Sequence, residues 1–123
     1  MRKYFIRIDS VEFEIKLKST HTAQEIIKRL PLHGKCQKWG DEYYFYVNFK
    51  IQTDDSAKQI INLGEIAYWP AGNAIAIAFG ETPISIRKEI KLVDKCNIWA
   101  EAKLDLKKLR NLVNPKLISV EVK

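Results

Sequence analysis

One run dominates the hydrophobic pattern of the chain, Gly64-Glu65-Ile66-Ala67-Tyr68-Trp69-Pro70-Ala71-Gly72-Asn73-Ala74-Ile75-Ala76-Ile77-Ala78-Phe79-Gly80. It reads as strand, tight connection, strand. Ile66–Trp69 is short and apolar and lies between Gly64 and Pro70, as a buried strand should. Pro70 presets φ for a turn, and Gly72 and Asn73 tolerate φ > 0. Beyond the turn, Ile75, Ile77 and Phe79 fall on one face and Ala74, Ala76 and Ala78 on the other. Neither face is polar, so the strand is predicted to be covered on both sides. The large face fills a core. The alanine face admits close approach by a helix, the expected cover, or by a ligand. Gly80 ends the strand, and Pro83 keeps the chain from rejoining it.

The same period of two recurs along the chain. Tyr4, Ile6 and Ile8 alternate with Phe5 and Arg7, and Asp9-Ser10 is a turn. Val11, Phe13, Ile15 and Leu17 alternate with Glu12, Glu14, Lys16 and Lys18, which predicts a half-buried strand paired with the first as a hairpin. Thr22-Ala23-Gln24-Glu25 fits a capping box for a helix with Ile26, Ile27 and Leu30 as its apolar stripe, stopped by Pro31. A short strand over Lys35–Trp39 follows, then a turn at Gly40-Asp41-Glu42. The next strand is rich in aromatics: Tyr43, Phe45, Val47 and Phe49 on one face, Tyr44, Tyr46 and Asn48 on the other. Ala57–Asn62 is a helical turn or a strand. Thr82–Asp94 is charged and irregular, with Ile84, Ile86, Ile90 and Leu92 as anchors. Asn97–Leu104 alternates again. Asp105 caps a short helix lined by Leu106, Leu109, Leu112 and Val113, and Leu117–Val122 is a final strand. Many short strands with two helices predict a mainly β fold, a closed barrel with helical plugs.

Composition narrows the function classes. The chain has 123 residues, 46% of them hydrophobic and 29% charged, which predicts a single soluble domain over residues 1–123 with a proper core. Charges interrupt the N-terminal apolar run, unlike a signal peptide, and no stretch reaches the ~18 apolar residues of a spanning helix. The expected location is cytoplasmic, and no membrane partner is expected. The net charge of +6 is spread among acids, as in Lys88-Glu89-Ile90-Lys91. With no RNA-recognition or zinc-finger spacing, the basic residues read as a solvated face and not a nucleic-acid site. Abundant Ile and Lys point to a thermophile. Cys36 and Cys96 lack C-x-x-C spacing. Two reduced thiols are expected, and a bridge between strand neighbours is the other option.

Catalytic motifs are missing. His21 and His33 flank the first helix and are not at metal-ligand spacing. There is no G-x-S-x-G elbow, Walker loop or dinucleotide fingerprint. Asp41 and Glu42 read as turn residues, and Asp54 and Asp55 as a polar turn. No cofactor and no metal are expected.

The order of elements resembles that of the cyclophilin barrel. Gly64–Ile75, Trp39-Gly40-Asp41-Glu42 and Gly80-Glu81-Thr82-Pro83 resemble the motifs of a small family of uncharacterised archaeal and bacterial proteins with that fold. The resemblance covers nearly the whole chain. It implies a closed eight-stranded barrel with one helix at each end and a groove on its outer surface. True cyclophilins use that groove to isomerise X-Pro bonds, with an arginine donating to the proline amide nitrogen while aromatics hold the ring. Here the corresponding segment reads Cys36-Gln37-Lys38-Trp39-Gly40-Asp41 and contains no arginine. Glu81–Lys95 contains neither Trp nor His. The catalytic set therefore does not carry over. What remains is a groove with Gln37, Tyr44, Tyr46, Trp69, Asn73 and Phe79 as candidate lining. The expected function is non-catalytic binding of a small molecule or peptide. A diverged prolyl isomerase is the alternative, and a homo-oligomer formed through exposed aromatics is a third reading.

Overall fold

The computed structural model describes every residue, Met1–Lys123. Its strands are β1 (Tyr4–Ile8), β2 (Val11–Leu17), β3 (Leu32–Lys35), β4 (Gln37–Lys38), β5 (Glu42–Tyr46), β6 (Lys58–Ile61), β7 (Glu65–Trp69), β8 (Ala74–Ala78), β9 (Ile90–Glu101) and β10 (Leu117–Val122). Helix α1 is His21–Ile27 and α2 is Leu106–Arg110.

The first hairpin forms as its alternation dictates. β1 and β2 pair antiparallel, burying Ile6, Ile8 and Ile15 and leaving Arg7 and Glu12 outside in an ion pair at 2.7 Å. Helix α1 differs from its predicted cap. Thr20 is the N-cap, its hydroxyl accepting from the Ala23 N–H at 3.1 Å. Thr22 is instead fully buried and donates to Asp54. A tertiary acceptor has outcompeted the local cap for that hydroxyl.

The neighbour order β3-β10-β1-β2-β9-β7-β8-β5-β4 begins and ends on a single extended segment. β3 pairs with β10, and β4, two residues on, pairs with β5. Leu32–Lys38, divided at Cys36, thus joins the two edges of the sheet and nearly closes it. Nine strands lie on this path; with β3 and β4 taken as one segment the ring has eight, as expected. Closing a sheet this way removes its free edges. Gly34 makes the seam tight, because a Cβ there would lie 2.8 Å from the Phe45 ring.

The two helices plug opposite ends. α1 contributes Ala23 and Ile26 to the interior, and α2 contributes Leu109. The Tyr43 hydroxyl donates to the Leu109 carbonyl at 2.9 Å, fixing α2 to β5. Between the plugs lies a core that includes Phe45, Ile66, Tyr68, Ile75, Ile77, Phe79 and Trp99.

A second apolar layer lies outside the barrel. It joins Ala67, Ala76 and Ala78 to Ile61, Ile90, Leu92, Cys96 and Ile98. A helix was expected over the alanine face; strands cover it instead. β9 is twelve residues long. Its C-terminal part pairs with β7 in the ring, whereas its first residues pair with β6. β9 therefore extends beyond the barrel wall, and the segment predicted to be an irregular loop supplies the cover through Ile90 and Leu92. The methyl side chains of β8 let that layer approach closely.

Candidate functional site

The outer face of β5 carries Glu42, Tyr44 and Tyr46, because side chains two apart share a face. Their partners on β8 are Ala78, Ala76 and Ala74. β8 thus offers only methyl groups on this face, and beside Ala74 and Ala76 the outer layer leaves a gap. Trp69 on β7, opposite Ala74, supplies one wall and Trp39 another. Leu92, Val93 and Cys96 supply the wall from β9. The result is a cavity of about 150 Å³ with ten lining residues, of which Glu42 alone carries an ionisable carboxyl.

The position of Glu42 is unusual for a glutamate. It is only 6% exposed. Its Oε1 is buried and has no hydrogen-bond partner, and it takes part in none of the protein's ion pairs. Burial disfavours the charged form, and this pushes the carboxyl up to about 7. Cys96 shares the pocket. Burial, helped by the negative potential of Glu42 and Asp94, raises its thiol to about 12. The Trp69 Nε1 is also buried without a partner.

The aromatic walls are held in place. Tyr44 and Tyr46 meet edge to face with ring centroids 5.6 Å apart. Tyr46 is 56% exposed and Val93 47% exposed, so they stand where the cavity opens. The backbone at Gly72 lies against the Trp69 ring so closely that a Cβ there would be 2.1 Å from it. Lys50 donates to the Pro70 carbonyl at 2.7 Å and pins the same turn.

Of the residues predicted to line a groove, Tyr44, Tyr46 and Trp69 come together here. Gln37 lies opposite Tyr44 in the sheet but outside the cavity lining. Asn73 is a turn residue at φ 53°. Its Oδ1 accepts from the Tyr68 hydroxyl at 3.4 Å and its carbonyl from the Val47 N–H at 2.8 Å. Phe79 is buried in the barrel interior with its ring 5.0 Å from Tyr43. One strand cannot present Phe79 and the alanines on the same face.

Beside Gly40-Asp41, Glu42 reads as a turn residue. It is the first residue of β5, and carrying the Tyr44/Tyr46 alternation back by one step would have placed it in the cavity. Trp39 follows from the same alternation through β4. No local signal marks Leu92, Val93 or Cys96, which arrive by long-range pairing. Both cysteines are free. Cys36 packs against the barrel interior and Cys96 belongs to the outer layer.

A second, larger concavity of about 960 Å³ lies between the first hairpin and the Asn62–Glu65 turn. It is lined by lysines and glutamates, as with Lys18 and Glu101, paired at 3.6 Å. Glu65 is largely buried but paired with Lys58 at 2.7 Å, and none of the concavity's charges is buried without a partner, so it lacks the convergent polar group of a binding site.

The family model described as Cyclophilin-like matches residues 2–121. This chain belongs to the Cyclophilin-like family. Among solved structures, this Cyclophilin-like protein is similar to the hypothetical protein AF2241 from Archaeoglobus fulgidus, known from a solution structure. The two are 31% identical with a TM-score of 0.80, over 98% of this chain and 93% of that one. A comparison with curated proteins gave no match. No helix of this Cyclophilin-like protein is long and apolar enough to cross a membrane.

Proposed function

We propose that this protein is a binding module that holds a small molecule, or one side chain of a peptide, in the outer cavity without turning it over. The observation that carries this reading is the Glu42 carboxyl, buried in an aromatic-walled cavity with one oxygen unpartnered. Leaving such an atom unsatisfied costs about 1–3 kcal/mol. A preformed apolar pocket with few polar groups is the usual form of a small-ligand site. At about 150 Å³ the cavity has room for on the order of five waters at ~30 Å³ each, which suits a compact group.

Turnover of X-Pro bonds is the weaker reading. The transition state needs a donor at the amide nitrogen, and no arginine lines the cavity. A protease-free isomerisation assay on proline peptides tests this, with no acceleration over the uncatalysed rate expected. In parallel, a panel of small fragments is screened by NMR. Shifts confined to Trp39, Trp69 and the methyl groups of Ala74 and Ala76 are expected from fragments that bind. Acceleration of isomerisation would overturn the non-catalytic reading. A panel that shifts none of these signals would overturn the cavity as the site.

A further inference from the structure

Resting on the cavity as the ligand site, we propose that its ligand class is a small organic cation, an alkylammonium or methylated ammonium, seated among Trp39, Tyr44, Tyr46 and Trp69 with its charge against Glu42. Three observations point the same way. Four aromatic residues from three different parts of the chain converge on one small cavity. Aromatic faces attract cations, and more strongly where water is excluded. The one carboxyl in the lining is buried and unpaired, and no lysine, arginine or histidine shares the lining. A buried anion without a counter-charge is costly, and a ligand cation would supply what the protein withholds. Finally, the rest of the lining is apolar, so the alkyl part of such a ligand has a surface to cover.

The alternative occupant is a neutral apolar molecule, with Glu42 protonated. The two are separable because below about pH 7 a cation must displace the Glu42 proton to solvent, whereas a neutral ligand leaves it in place. The titratable groups that share the lining with Glu42 are Tyr44 and Tyr46 on its own strand and Cys96 on β9; β8 contributes only alanines. Burial raises Tyr44 and Cys96. Below pH 8, therefore, Glu42 is the group in the cavity that changes charge.

The experiment compares choline and butylammonium with their neutral counterparts 3,3-dimethyl-1-butanol and 1-butanol. Tryptophan fluorescence and calorimetry follow binding to the intact protein. At pH 8 the cations are expected to bind at least about tenfold more tightly than the alcohols. Cation affinity should rise nearly tenfold per pH unit below about 7 and level off above it, as a single displaced proton requires. Glu42→Gln should weaken the cations at least about tenfold more than it weakens the alcohols. Tyr46→Leu, at a half-exposed position, keeps an apolar wall but removes an aromatic face and should weaken the cations several-fold more than the alcohols; it serves as the second variant if Glu42→Gln does not fold. Alcohols binding as tightly as cations would overturn the cation assignment and leave the cavity as a binding site. Failure of all four probes to bind would overturn the cation assignment too, and the fragment screen then decides separately whether the cavity binds anything.

Discussion

Asn97 and Thr22 lie on different elements and meet at 2.9 Å, the Asn97 amide donating to the Thr22 hydroxyl at one end of the barrel. Both are fully buried. Asn97 also donates to the Gln52 carbonyl at 2.9 Å and accepts from the Asp54 N–H at 3.0 Å. Thr22 in turn donates to Asp54, whose other oxygen accepts from Ser56. One asparagine therefore ties α1, the loop before β6, and β9 together. Each group is satisfied by another, so the network is all-or-none.

Asn97→Ala should cost about 2–4 kcal/mol, since it strands the Gln52 carbonyl and the Asp54 N–H together. Urea titration followed by fluorescence would show it as a lower midpoint with an unchanged slope. A loss below about 1 kcal/mol would mean that water replaces the amide.

Glu42 makes stability depend on pH in a defined direction. Its carboxyl titrates at about 7 when folded, raised from 4.5 by burial. Between those values the folded state holds a proton that the unfolded state has lost. Stability therefore falls as pH rises from about 4.5 to about 7 and is level above. At about 1.4 kcal/mol per pKa unit, the total is about 3 kcal/mol. Glu42→Gln should remove this slope and stabilise the protein at pH 8. Asp54 works in the opposite sense at lower pH. Burial opposes its charge, but hydrogen bonds from Ser56 and Thr22 outweigh that and hold its carboxyl below the usual range. Its contribution is lost as pH falls through the acid range. Thermal melts from pH 3 to 8 should show an optimum between the two effects.

Gly72→Ala should disturb the cavity through Trp69. The added methyl would overlap the indole, and either the ring or the turn must move. Overpacking of this kind costs about 1–3 kcal/mol. The Trp69 emission should shift, and any cavity ligand should weaken. An unchanged emission spectrum, with ligand affinity intact, would show that the turn yields instead of the ring.

The two thiols should behave as inert, separate groups. Burial raises Cys36 to about 11 and Cys96 to about 12, so neither is appreciably a thiolate at pH 8. Alkylation by iodoacetamide at pH 8 should be slow in the native protein and fast for both in denaturant. Intact mass should be the same before and after reduction.

Much of the fold is legible residue by residue. The alternation of Val11–Leu17 and the paired faces of Ala74–Phe79 set which side chains point inward, because a strand has a period of two whatever it packs against. Asp105 caps α2 as expected, its side chain accepting from the Lys108 N–H at 3.1 Å. The same alternation puts Tyr44 and Tyr46 on the face opposite Tyr43 and Phe45, and the structure joins Trp69 to them. What only the tertiary structure decided is which partner each face meets. Thr22 abandoned a local cap because Asp54, distant in sequence, lies within reach of its hydroxyl. The alanine face received β6 and β9 in place of a helix because β9 runs on past the barrel wall. Glu42 shares its cavity with Leu92, Val93 and Cys96 only because the long strand β9 brings them there. Periodicity is a property of the local backbone and can be read along the chain; burial depends on long-range pairing, and no local stretch contains it.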